Sequence, residues 1–236
     1  GPACDVRRLC DTRHSCARRV RTGGRRANQW MRGNVVEGDG EGEGKWGDHF
    51  VDAARGKLGL VDLGQKKAVY GLTKGQYSPT SPAGFKSKTS PEGAIEQPVN
   101  PLSLALAAGA TFVARAYPLD MPHFASMIRQ AMDHPGYALI DTLQVCVTFN
   151  PAQSYVWYKQ RVYKLEDEEG YDTGDLAGAM ARALEFGDRI PTGVFYRDAD
   201  RPSYEAQVPA LADGPLVDRP LRPLPDEAYE AIKREF

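Results

Sequence analysis

From Pro101 to Leu143 helical and extended patterns alternate at short intervals, and this alternation limits the possible folds more than any other feature of the chain. Leu102, Leu104, Leu106 and several alanines predict a short packed helix over 101–110, followed by the strand Thr111-Phe-Val-Ala-Arg-Ala116. Phe124, Met127, Ile128 and Ala131 fall at helical spacing within Met121–Met132, and the strand Tyr137–Leu143 follows at once. Strands and helices in this order predict an α/β fold: a mostly parallel sheet with helices on both faces and right-handed crossovers.

The flanks read less regularly. Val35-Val36 runs into Gly38-Asp39-Gly40-Glu41-Gly42, then His49–Arg55 has helical character, giving strand, glycine turn and helix. Leu58–Leu63 predicts a second strand, ending near Val69-Tyr70-Gly71. Five prolines between Gly71 and Pro101 predict a long ordered loop, and loops of that length inside a domain usually carry function. After Asn150 an aromatic stretch with Trp157, Tyr158 and Tyr163 leads to the acidic run Glu166–Glu169 and a helix over 175–185. Six prolines in the 29 residues from Arg197 to Pro225 predict an extended Pro-rich C-terminal tail lying over a partner subunit, with a short closing helix over 226–236. The expected organisation is an Arg-rich segment over 1–34, a ligand-binding domain over 35–150 and an extension over 151–236.

Charge excludes one class of function for the chain as a whole. Thirty basic and 31 acidic residues leave a net charge of −1, so no general nucleic-acid role is expected. Nine of the basic residues, all Arg, fall in positions 1–33, which is read as a solvated arm; only there does a nucleic-acid surface stay open as a reading. No run approaches the roughly 18 apolar residues of a membrane span. The N-terminus has no secretory apolar core, so a cytoplasmic setting with unpaired thiols is expected. Cys4, Cys10 and Cys16 follow no zinc or iron–sulfur spacing.

The chemistry-bearing candidates lie at two predicted strand ends. A Gly38-Asp39-Gly40 turn lets backbone approach a diphosphate while the carboxylate holds a divalent metal, although the same tripeptide also serves as an ordinary exposed turn. Twenty-eight positions beyond Asp39 comes Lys67-Ala-Val-Tyr-Gly-Leu-Thr-Lys-Gly-Gln76. Adjacent strand ends of an open α/β sheet are where ligands bind, and Leu72-Thr73-Lys74 offers backbone N–H groups, a hydroxyl and an ammonium to phosphate oxygens.

Tyr70–Ser81, Gly93–Pro101 and Ala108–Ala116, with Tyr158–Leu165 and Gly187–Tyr196, resemble the β subunit of 2-oxoacid:ferredoxin oxidoreductases, more narrowly the 2-oxoglutarate-type two-subunit enzymes. The resemblance implies a thiamine-diphosphate-binding fold that carries the diphosphate half of the cofactor site through His14, Gly38, Asp39, Gly40, Glu41, Gly71, Leu72, Thr73 and Lys74. It implies oxidative decarboxylation of a 2-oxo acid of the 2-oxoglutarate or pyruvate class to acyl-coenzyme A, with electrons passed to ferredoxin. An α-type subunit is the implied partner.

The resemblance further implies Mg²⁺ held by Asp39, the backbone carbonyl of Val69 and an Asn where this chain has Lys67. An ammonium cannot ligate a metal, so Lys67 departs from the pattern; pairing with a phosphate is its alternative role. Cys146 matches the late ligand of a 4Fe-4S iron–sulfur cluster; alone it reads as a buried thiol. The other three ligands would precede Gly1, so a truncated chain is expected and the cluster only in a full-length one.

Met31-Arg-Gly-Asn34 is a poor strand for a sheet core, and positions 1–70 are read as altered by sequence error, frameshift or decay. His49 is read as cap, core or cofactor-facing residue, His123 and His134 as surface residues. The competing readings are a catalytically incomplete subunit that keeps only fold and partner contact, and another thiamine-diphosphate-dependent decarboxylase.

Overall fold

The computed structural model describes residues 33–38, 47–212 and 225–235. Six strands form one sheet: β1 (Gly33–Gly38), β2 (Leu60–Lys66), β3 (Phe112–Ala116), β4 (Ala138–Leu143), β5 (Val162–Lys164) and β6 (Ile190–Arg197), in the order β1-β2-β4-β3-β6-β5. β1, β2, β4 and β3 run parallel; β6 lies antiparallel to β3, and β5 parallel to β6. The helices are α1 (Gly47–Gly56), α2 (Pro101–Ala107), α3 (Met121–Asp133), α4 (Tyr155–Lys159), α5 (Leu176–Ala183) and α6 (Asp226–Glu235).

Both faces of the sheet are covered, as the alternating pattern predicts. α1, α2 and α5 pack on one face, where Phe50, Ala54, Leu102, Ala105 and Ala183 meet Leu139 and Phe195. α3 covers the other face through Met127 and Ala131, against Ala138 and Ile140 of β4. Every residue of β3 and β4 is therefore buried, which is why neither strand alternates apolar with polar. Asn100 caps α2 by accepting from Ser103 N (3.2 Å), while its Nδ2 donates to Ala183 O (2.7 Å) and ties α2 to α5.

The weak first strand finds its explanation in position. β1 pairs only with β2 at the sheet's edge, so exposed Asn34 is tolerated while Val35 reaches the core. β2 stops at Lys66 rather than near Gly71, because Ala68 adopts φ +52°, a left-handed conformation that no strand can hold. β5 and β6 go unassigned in the sequence, since Pro191 and Gly193 disguise β6. The glycine is required there: φ is +112°, and a Cβ would lie 2.5 Å from Glu166 Oε2.

Two expectations change. His134 is buried, with Nε2 2.8 Å from Thr111 Oγ1 and its ring beside Phe112, because α3 ends at Asp133 and the chain turns inward. His123 is half-buried and lies 3.3 Å from Glu166 Oε1. Residues at the start of the Pro-rich segment bond to this chain: Asp198 N donates to Thr111 O (2.8 Å), Tyr204 N to Lys57 O (3.1 Å), and Glu205 Oε1 accepts from Gly59 N (3.0 Å). The closing helix is present as α6.

Arg115 of β3 is completely buried, its Nε donating to Asp141 Oδ2 of β4 at 2.8 Å and its guanidinium 5.5 Å from the ring centres of both Phe186 and Phe195. Arg115→Met strands the Asp141 carboxylate in the core and should lower stability by about 3–5 kcal/mol in urea titration. The double variant Arg115→Met/Asp141→Leu should recover most of that loss; a double variant as unstable as the single one would contradict this account.

Candidate cofactor-binding site

Register decides where the chain's candidate residues meet. Gly38 at the end of β1 lies opposite Gln65 of β2, and Lys66 opposite Leu143 of β4, so the segments following all three strands leave the sheet at one edge. This is the carboxyl edge of the parallel strands, where open α/β sheets bind ligands.

The segment after β2 turns back on itself. Tyr70 N donates to Gln76 O (2.9 Å) and Gly75 N to Tyr70 O (2.8 Å), with Lys74 and Gly75 both left-handed at φ +75° and +99°. The Thr73 hydroxyl donates to the Gln76 side chain. Leu72, Thr73 and Lys74 form an exposed tip whose backbone and side chains face solvent. The base of the loop is anchored: Ser81 Oγ donates to Ala68 O (2.7 Å) and Asn150 Nδ2 to Lys67 O (3.1 Å). Ser78, Thr80 and Ser81 are buried and hydrogen-bonded among themselves, which orders the long stretch between β2 and α2 without regular structure.

Gly38, Lys67, Val69, Gly71, Leu72, Thr73, Lys74 and Cys146 thus belong to one edge of the sheet. Cys146 Sγ lies 3.9 Å from where a Gly71 Cβ would stand, so the thiol sits beside the loop. His14, Asp39, Gly40, Glu41, Cys4, Cys10 and Cys16 lie outside the described residues, as does the side chain of His49. Phe149, Asn150 and Ser81 were not expected at the site. Their only sequence signal is closeness to Cys146 and to the loop.

The described part of this edge is cationic. Lys66, Lys67 and the exposed Lys74 stand on it, with Lys66 Nζ 4.1 Å from the Phe186 ring centre. Among the described residues no group of three or more His, Cys, Asp or Glu is placed to hold a metal ion. Such a surface suits the oxygens of a diphosphate. It does not suit a metal at Lys67, which has no lone pair to offer once protonated. A 4Fe-4S cluster needs four thiolates, and Cys146 is the only cysteine among the described residues.

Residues 23–142 match the family model described as thiamine pyrophosphate enzyme, C-terminal TPP binding domain, and residues 146–213 match the model for the C-terminal part of the pyruvate ferredoxin oxidoreductase beta chain. The chain is 40% identical over 199 residues to a 2-oxoacid:ferredoxin oxidoreductase subunit beta from a Sulfolobus species, covering 80% of this chain and 65% of that one. It is 38% identical over 234 residues to the beta subunit of 2-oxoacid:ferredoxin oxidoreductase 1 of Aeropyrum pernix, covering 90% and 74%. The chain belongs to the β subunits of the 2-oxoacid:ferredoxin oxidoreductases. A solved 2-oxoglutarate:ferredoxin oxidoreductase from Magnetococcus marinus, with 2-oxoglutarate, coenzyme A and succinyl-CoA bound, superposes with a TM-score of 0.78 at 31% identity, covering 91% of this β subunit and 72% of that chain. No helix among the described residues is long and apolar enough to cross a membrane.

Between β1 and β2 of this β subunit lies a buried acid pair. Asp62 Oδ2 accepts from the Tyr137 hydroxyl (2.9 Å), and the buried Glu37 carboxyl interacts with it from β1. Burial pushes Asp62 up to about 6, against the opposing bonds from Tyr137 and Glu37. A carboxyl whose folded value exceeds its unfolded one binds more protons folded than unfolded between the two values. Stability should therefore fall as pH rises from about 4 to about 6 and level off above that, by a few kcal/mol at most. Asp62→Asn should flatten this slope in urea titrations at pH 4.5 and 7; an unchanged slope would refute the assignment.

Proposed function

We propose that this chain binds the diphosphate half of thiamine diphosphate at the carboxyl edge formed by Gly38 and the 67–76 loop, as the β subunit of an enzyme that oxidatively decarboxylates a 2-oxo acid. The observation that carries the reading is the parallel register of β1 and β2, which puts Gly38 and the start of the 67–76 loop at adjacent strand ends. When bound, thiamine diphosphate supplies the nucleophilic carbon and the electron sink for decarboxylation. The protein binds and orients. Gly38 and Gly40 let backbone come close, Gly71, Leu72 and Thr73 present N–H and hydroxyl donors, and Lys74 adds positive charge. His14 and Glu41 complete the proposed cofactor residues.

Asp39 and the Val69 carbonyl are the proposed Mg²⁺ ligands, and Lys67 is not one. Cys146 is the proposed ligand of an iron–sulfur cluster in a longer chain. An α-type subunit is the proposed partner that supplies the rest of the site, with coenzyme A as acyl acceptor and ferredoxin as electron acceptor. Lys67 specifically favours a second reading, a subunit that keeps fold and partner contact without a working cofactor site.

Calorimetry on the chain co-expressed with an α-type partner separates the two. Thiamine diphosphate should bind with micromolar affinity in the presence of Mg²⁺. Binding that appears only in Lys67→Asn would establish the second reading for the natural sequence, and no binding by either protein would reject the cofactor site altogether.

A further inference from the structure

The loop that would meet the diphosphate closes on itself over residues 70–76, and its two ends are fastened from outside. Three of its residues, Ala68, Lys74 and Gly75, are left-handed, its tip is exposed, and its internal backbone bonds lie among residues 70–76. What lies under it is the turn that follows β4. Gln144 N donates to Lys66 O (2.9 Å), continuing the β2–β4 pairing to the very start of the loop. The turn then closes through Asn150 N, which donates to Cys146 O (2.9 Å). Asn150 is buried, and its Nδ2 donates both to Lys67 O (3.1 Å) and to Gln153 Oε1 (3.1 Å), so one amide fastens the loop's first residue to the turn and to the segment beyond it. Phe149 acts at the other end. Its ring lies so close to Gly75 that a Cβ there would stand 2.6 Å from Phe149 Cδ1.

We propose that Asn150 and Phe149 are positioning residues, which fix the two ends of the 67–76 loop and so preorganise its exposed tip for the cofactor's diphosphate. The inference rests on the reading of that loop as the diphosphate site. Neither side chain reaches the tip, so neither is a catalytic residue. Asn150 sets where the loop starts, and Phe149 sets where it ends by filling the space that only a glycine at 75 leaves open. The glycine is thus doubly determined, by its φ of +99° and by the aromatic ring packed on its Cα. A loop held in its binding conformation before the ligand arrives loses less entropy on binding, which appears as affinity.

The test uses hydrogen–deuterium exchange on the full chain without cofactor, comparing wild type, Asn150→Leu and Phe149→Ala. The amides of Tyr70 and Gly75 should exchange at least tenfold faster in each variant, while those of β3 and β4 stay unchanged. Unchanged exchange at Tyr70 and Gly75 overturns the proposal, and so does uniform acceleration across the sheet, which would mark a merely structural role. In parallel, thiamine-diphosphate affinity of the partnered complex should fall about tenfold in both variants, and Asn150→Gln should recover part of the loss. Equal affinity in wild type and variants overturns the preorganisation claim. A wild type with no affinity rejects the functional reading instead, and exchange alone then decides whether the turn positions the loop.

Discussion

The structure depends on one alignment: β1, β2 and β4 are parallel and in a register that ends all three at the same edge. Parallel strands joined by crossovers must all point the same way, so their following segments gather on one side of the domain. Gly38, the 67–76 loop and the Cys146 turn, widely separated in sequence, come to one edge without any one of them specifying the meeting. The opposite edge is left for anchoring. There Tyr204 and Glu205 return to the backbone at Lys57 and Gly59, well away from the carboxyl ends of the strands.

The same sheet carries an unusual amount of buried charge. Arg115 with Asp141 lies deep in the strands, and Asp62 with Glu37 and Tyr137 lies nearer the edge strand. Each has one partner, Asp141 for Arg115 Nε and Tyr137 for Asp62 Oδ2, while Arg115 Nη1 and Nη2 and Asp62 Oδ1 are buried without a hydrogen-bond partner among the described residues. The two arrangements solve the problem differently. Arg115 is paired with Asp141, with aromatic rings over the remaining guanidinium surface, whereas burial raises Asp62 to about 6 and so favours its neutral form at acidic pH.

Much of this was legible in the sequence wherever burial and periodicity spoke with one voice. β3, α3 and β4 fell within a residue or two of their expected bounds, because Phe124, Met127, Ile128 and Ala131 keep the helical period while β3 and β4 are short runs buried on both faces. The adjacency of the Gly38 and Lys67 segments was legible for the same reason. β6 was not, since its Pro191 and Gly193 answer to tertiary neighbours, β5 and Glu166, that no local window contains. The left-handed Ala68 that ends β2 early has no signal either; it is held by Ser81 across thirteen positions. Asn150 and Phe149 escaped for a related reason. Their role is defined by what folds over them, and an Asn after a Phe in a loop says nothing about that.

Lys67 turns this geometry into a question of charge balance. At about 4 Å and an effective dielectric near 20, one unit charge acts on another with about 4 kcal/mol, and on a dication with about twice that. If the proposed Mg²⁺ site lies where the resemblance puts it, a protonated Lys67 opposes the metal and removes a ligand at the same time. The same ammonium attracts a diphosphate with comparable strength. The proposed site would then rely less on a divalent ion and more on its own side chains, with Lys67 and Lys74 on the two limbs of one anchored loop. The extent to which diphosphate binding by this chain depends on Mg²⁺ is then a direct reading of which charge, the metal's or the lysine's, the folded edge was shaped to use.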